Sequence, residues 1–442
     1  MDAKWNSDLA ELAQTVPEDL AMPDLDEALR LAAKYTANAN GRCQVFGRTR
    51  TGEELLAFHV GSGPVHTAVI ACQHSNEPIG LPTAVELLRI LGQAADAGDP
   101  RLRAHTFTVV PVWDADAARR SPGVFAPYPT LTDAHLRFHR AHARDQPEWT
   151  FPVHPGERAA LPETRAMMRL LNHTRPDSVV GLHNNDFGTG AYFVTDHPHD
   201  GLVDQLSAIP ARHGLPLDDS STDCTGWSRA APAVWAMPAS YQEEGGISTM
   251  QYAARTHGSI GVIPEVPMWI STPPPTPNPA TWPQRLREMA DTAEAAVGPL
   301  SDTINRTAGD FPLCPVAAGA LQGLQATHRQ ATQCRDLARP RDTELATIMW
   351  TSTWLTQLRL PLRTTGLVIG LTSPHECQHP IPEAALLHAV GQLAQLTAAL
   401  GQVRPPQLQP LWRPVRAQLA TVLTTAAYAV RRKSAIIDHL ER

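Results

Sequence analysis

In the stretch ACQHSNEPIG (71–80), His74 and Glu77 stand three residues apart, immediately after an apolar run. Positions i and i+3 of one helical turn project from the same side, so an imidazole and a carboxylate there can grip one ion. Zinc accepts nitrogen at about 2.0–2.1 Å and carboxylate oxygen at about 2.0–2.2 Å, and two histidines with one glutamate leave a fourth position open for chemistry. The third ligand comes at VVGLHNND (179–186), where His183 again follows an apolar run. In an open α/β sheet ligands bind just outside the carboxyl ends of the strands, and both motifs reach that edge. Glu265, in GVIPEVP (261–267), is a carboxylate among Val262, Ile263, Val266 and Trp269. A charge at the end of an apolar strand costs free energy unless it is paired or used. Beside a metal it can take a proton from water and later return it to a leaving amine. The expected set is zinc on His74, Glu77 and His183, with Glu265 as the general base.

The elements that must hold these residues are legible as alternating patterns. DLDEALRLAAKY (24–35) reads as a helix capped by Asp24. CQVFGRTRTGEELLAFHV reads as two strands joined at Thr51-Gly52. VHTAVIAC (65–72), HTFTVVPVW (105–113), SVVGLH (178–183), AYFVT (191–195) and SIGVIPEV (259–266) read as strands, the apolar ones buried on both faces. PTAVELLRILGQAAD (82–96) and PETRAMMRLLNH (162–173) read as helices between them. The order predicts a mixed, mostly parallel sheet with helices on both faces. The segment from Gly123 to Leu161 has no period and is long for a connection, which favours a functional loop.

With these residues in order, the region from about 24 to 298 resembles the zinc carboxypeptidases of the funnel-shaped α/β type. That family carries His-x-x-Glu after a strand, a later His after a strand, and a Glu near the end of its catalytic domain. TGEELLAFHVGSG, VVPVWDADAARR and LPETRAMMRLL also look like its landmarks. The resemblance implies hydrolysis of a peptide or amide bond next to a carboxylate. It also implies an Asn-Arg pair for the substrate's carboxylate, an Arg that polarises the scissile carbonyl, and a mobile tyrosine. Arg140 is the nearest match to the pair's arginine, but His139 stands where Asn is expected. The carbonyl-polarising residue is Arg119, Arg120 or Arg137. Tyr241, in a loop beside Gly245-Gly246, fits the tyrosine better than Tyr252, which reads as helical. Loop histidines (His135, His139, His142, His154, His197 and His199) make a second metal conceivable, although their spacing matches no ligand set.

Beyond about residue 300 the chain turns to Ala, Leu, Gln and Thr, after the Pro-rich stretch 271–283. Helices are expected over 316–338, 342–359, 382–402 and 411–440. The expected division is a catalytic domain over 1–298 and a helical domain over 299–442 that serves packing or homo-oligomerisation. The 442 residues, 43% hydrophobic and 18% charged with a net charge of -7, give no electrostatic reason to expect nucleic acid. Arg431-Arg432-Lys433 reads as a solvated helix end. The acidic N-terminal stretch is unlike a signal peptide, and no window reads as a membrane span. Six scattered cysteines suit free thiols in a reducing, cytoplasmic setting. The expected substrate is a peptide or an acylated amino acid. An N-acyl amino acid deacylase with the same zinc set competes with a carboxypeptidase, and a binding protein that has lost turnover is the reading from another class.

Overall fold

The computed structural model describes residues 7–121, 130–195, 201–217, 224, 227–270, 278, 281–310, 315–337, 358–371, 383–401 and 406–440. The apolar runs become strands of one sheet. In chain order they are β1 (Arg42–Arg48), β2 (Glu54–Gly61), β3 (Val65–Ile70), β4 (His105–Val110), β5 (Ser178–Gly181) and β6 (His183–Gly188). There follow β7 (Ala191–Thr195), β8 (Ser228–Ala231), β9 (Val234–Met237), β10 (Ile260–Ile270) and β11 (Gln407–Leu408). At the centre β4, β3, β5 and β10 lie side by side and parallel. β6 carries on beyond β5 along β10 in the same sense. Antiparallel contacts add β2 and β1 on one flank and β7 on the other, where β9 pairs parallel to β7 and β8 antiparallel to β9.

Why the central runs are apolar at every position is plain from their neighbours. Ala68, Ile70, Val179 and Ile263 enter one core with Met167, Leu170 and Met250, from helices Pro162–Thr174 and Thr249–His257. Val69, Val180 and Val262 enter the other with Leu87, Leu206 and Leu419, from helices Gly80–Asp96, Leu202–Arg212 and Trp412–Leu440. Successive strand residues point to opposite faces, so both faces must be covered. Asp24 caps its helix as expected, accepting from the Glu27 amide at 2.8 Å. The Thr51-Gly52 turn uses a glycine at φ +98. Cys43 and Cys72 are free thiols. Among the described residues no helix is long and apolar enough to cross a membrane.

Two strand readings change. Glu265 is not at a strand end: β10 runs on to Ile270 and places it in the interior of the strand. The expected strand 178–183 breaks at Leu182, and His183 opens β6 instead.

Packing crosses the expected division at 298/299. Helix Trp412–Leu440 lies in the same core as the sheet, through Val415, Leu419, Val422 and Leu423, and β11 pairs with β10. Helix Trp282–Val297, on the other side of that boundary, instead reaches a third core through Val297. There it joins Ile304, Val316, Leu324 and Leu367, together with Phe138 from the first half. Composition cannot tell a helix that covers a sheet from one that packs on helices. Arg431-Arg432-Lys433 is likewise more than a solvated end. Arg432 donates to the Gly258 carbonyl at 3.1 Å, and Lys433 lies 3.0 Å from Asp177. Most of the expected helix 342–359, and nearly all of the Pro-rich stretch, lies outside the described residues.

Two tests follow from this packing. Fully burying one Val or Leu contributes about 1.5–3 kcal/mol. The four named side chains of the last helix therefore contribute about 6–12 kcal/mol, against a typical net stability of about 5–15 kcal/mol. A chain ending at residue 298 should give no cooperative thermal transition, whereas an autonomous first domain would melt normally. The second test concerns His105, buried at the start of β4 against Phe107. Burial holds its imidazole down at about 4, whereas an unfolded chain takes up that proton near 6.5. Stability therefore falls as pH drops from about 6.5 to 4. His105→Gln should flatten that fall in the urea midpoint measured between pH 7 and pH 5.

Candidate metal centre

The sheet positions the site through the carboxyl ends of its parallel strands. After β3 the chain turns at Cys72, whose φ of +46 is uncommon for a residue with a side chain. Asp114 N donates to Cys72 O at 3.0 Å and Trp113 N to Ala71 O at 3.2 Å, and these bonds hold the turn. A tight turn follows, closed by Glu77 N donating to His74 O at 3.2 Å, and the two side chains meet across it. His183 opens β6 directly opposite Glu265 in the register of β10. The sheet thus places a ligand and the expected base side by side. Ile79 N donates to Asn184 Oδ1 at 3.0 Å and ties the two ligand segments together.

The donor atoms converge. His74 Nδ1 lies 2.9 Å from Glu77 Oε1, and His183 Nδ1 lies 2.8 Å from Glu77 Oε2. All three ligand atoms fall within 4.8 Å of one another. The imidazoles meet edge to face with centroids 4.8 Å apart. Glu77 Oε2 is buried and makes no hydrogen bond of good geometry despite its near neighbour, as expected of atoms aimed at a shared point. The set fits a divalent metal with three protein ligands. Glu265 Oε1 stands 3.9 Å from His183 Nδ1. It borders the site without being one of the three grouped residues.

Behind the ligands sits a residue that the sequence reading missed. Glu148, fully buried, faces both histidines from the far side: Oε2 is 2.9 Å from His74 Nε2 and Oε1 is 3.3 Å from His183 Nε2. A metal-ligating histidine usually gives its other N–H to such a group, which fixes the tautomer. Gln73 adds an amide 2.6 Å from His183 Nε2. Burial alone pushes the Glu148 carboxyl up, but the charges of His183 and His74 outweigh it and hold it at about 2. Glu77 likewise stays far below its usual range despite burial, because His74 and His183 flank it. Burial presses His183 down, and Glu148 and Glu77 overcome that and raise it well above the ordinary value. Two carboxylates against two imidazoles, all out of water, form a donor set that a cation completes.

The other expected residues separate by place. A cavity of about 340 Å³ opens on the ligands and is bordered by Arg140, Tyr241 and Glu265. Arg140 Nη1 donates to Glu77 Oε1 at 2.9 Å. Arg119 is elsewhere, paired with Asp26 at 2.6 Å, and neither Arg120 nor Arg137 borders the cavity. His139, where an Asn is expected, is buried away from the cavity, its imidazole held at about 4 by burial and by Arg120. The Tyr241 hydroxyl donates to Glu243 at 2.5 Å, and its ring meets Trp149 and Trp227 edge-on. Tyr252 instead packs on Phe151 and bonds Asn172. His135 lies 3.6 Å from Asp186, and His142 lies 3.3 Å from Glu244. His197 and His199 lie outside the described residues. Among those described, no second metal cluster forms.

No family model and no curated protein sequence matches the chain. Solved structures to which it is similar include the carboxypeptidase A from Helicoverpa armigera, 15% identical, covering 61% of this chain and 71% of that one at a TM-score of 0.39. A metallo-carboxypeptidase from Burkholderia cenocepacia is 15% identical, over 55% of this chain and 60% of that one, at a TM-score of 0.37. An aspartoacylase family protein from Mesorhizobium loti is 16% identical, over 51% and 61%, at a TM-score of 0.31.

Partners behind metal-ligating histidines typically affect metal affinity about 10–100-fold. Glu148→Gln should weaken zinc binding by that factor in competition with a chromophoric chelator, and should lower the melting temperature of the metal-free chain because a buried partner is lost. Unaltered affinity would leave Glu148 a packing residue only.

Proposed function

We propose that this chain is a zinc-dependent hydrolase of a peptide or amide bond next to a carboxylate. The observation that carries the reading is the convergence of His74, Glu77 and His183, with Glu265 opposite His183 in the sheet register. Zinc, when bound there, lowers the pKa of water toward about 7 and polarises a carbonyl. Glu265 borders the cavity without belonging to the ligand group, the place a base needs. It takes the proton from the attacking water at a carboxylate oxygen and returns it to the leaving amine. Arg140 stands over the same cavity with a planar fork suited to a substrate carboxylate or a developing oxyanion. Tyr241, linked to Glu243, lines the cavity with Trp149 and Trp227 and contacts the substrate's side chain.

A second reading within the same chemistry is an N-acyl amino acid deacylase. Two observations favour it. His139, which stands where the asparagine of that pair is expected, does not border the cavity. The cavity, about 340 Å³, is also lined by Gln322, Arg329, Arg359 and Leu360 from helices of the C-terminal part, a volume that suits a small substrate. Screening acylated amino acids and short peptides for release of free amine, with and without a chelator, separates the two.

General acid–base groups contribute about 10²–10⁴-fold in rate. Glu265→Gln should therefore lose at least a hundredfold in kcat on the best substrate while elemental analysis still finds zinc. Near-normal turnover would end this mechanism, and loss of the metal would make Glu265 a ligand.

A further inference from the structure

The strand that begins with the third ligand is gripped from behind by the C-terminal part of the chain. Gln418, fully buried on helix Trp412–Leu440, donates from Nε2 to the His183 carbonyl at 2.6 Å. Its Oε1 accepts from the Thr83 hydroxyl at 2.7 Å. A carbonyl can only accept, so the amide's orientation is fixed and both of its ends are used. Farther along β6, Arg363 holds Asp186 at 2.7 Å and Arg359 donates to the Phe187 carbonyl at 3.2 Å. Thus three residues from two C-terminal helices hold positions 183, 186 and 187 of one six-residue strand. Thr83 belongs to the helix that starts three residues after Glu77. The Gln418 amide therefore bridges the segment that carries the first two ligands and the one that carries the third.

We infer that Gln418 is a positioning residue for the metal centre, fixing the backbone of His183 relative to the His74–Glu77 turn, and that the C-terminal helical part is a structural half of that centre. The reason is geometric. A strand backbone that can shift by a few tenths of an ångström carries its imidazole with it, and a three-ligand set binds only when all three donors reach the ion together. The bridge acts on the backbone, so it constrains the ligand without touching the cavity. Nothing in the composition of the helical region signals this, because one glutamine in a helix rich in Ala, Leu and Thr reads as surface.

The inference rests on the metal reading proposed above, and its test uses metal affinity rather than hydrolysis. Gln418→Met keeps the volume and removes both hydrogen bonds. In the full-length chain it should weaken zinc binding about tenfold or more in competition with a chelator, the loss typical of groups that orient ligands. Thr425→Val, two turns along the same helix and equally buried, serves as the control for general loosening and should leave zinc affinity unchanged. Should Gln418→Met fail to fold, Thr83→Val frees one end of the bridge and should weaken zinc a few-fold. Unchanged affinity in the folded variants overturns the inference alone, as does an equal loss in Thr425→Val. A wild-type chain that takes up no zinc overturns the metal reading together with it.

Discussion

Everything at the site depends on one register: Glu265 of β10 opposite His183 of β6 in a parallel pair. Parallel strands deliver their carboxyl ends to the same edge, so the chain can leave β3 at Ile70, turn, and present His74 and Glu77 to the point where β6 begins. A slip of one residue in β10 would send Glu265 to the opposite face, because side chains alternate. The apolar residues on either side make that slip expensive. Val262 and Ile263 belong to different cores, and a slip would exchange them. The core residues thus fix the geometry of the candidate site without belonging to it.

Burial creates a second dependence. Glu77, Glu148 and His183 are almost wholly removed from water, where an isolated charge is very costly. Each is tolerable only because the others are present. Such a cluster is stable as a unit and poor in fragments, since removing one partner leaves another buried and uncompensated. It also explains why Arg140 sits on Glu77 here: the guanidinium supplies positive charge at the carboxylate.

His74, Glu77 and His183 were legible in the sequence because each follows an apolar run, and the run says where in a sheet the residue must emerge. The helices flanking the central strands were legible by their period, to within two residues for Gly80–Asp96 and Pro162–Thr174. Glu148 was not. It lies in the aperiodic segment between Gly123 and Leu161, among short 3₁₀ turns, and its role comes from where a loop folds back. Tyr241 could be preferred over Tyr252 because glycines mark its loop. The short hairpin β8–β9 passed unread, since four-residue strands offer too few alternations. The contacts that cross residue 298 were not legible for another reason: amphipathic helices look alike whether their partner is a sheet or another helix, and only long-range contacts distinguish them.

The span of those contacts has a consequence for how the protein is made. Arg416 donates to the carbonyl of Val16 across 400 residues, and Gln418 reaches His183 across 235. At about 5–20 residues per second, Gln418 leaves the ribosome about 10–50 s after His183. During that interval one sheet face carries helices Gly80–Asp96 and Leu202–Arg212 but lacks Trp412–Leu440. Native pairings between such distant residues form slowly, because the intervening loop must close first. Until helix Trp412–Leu440 docks, the apolar residues that meet Val415, Leu419, Val422 and Leu423 lack those partners, so this part of the core closes after the strands it covers.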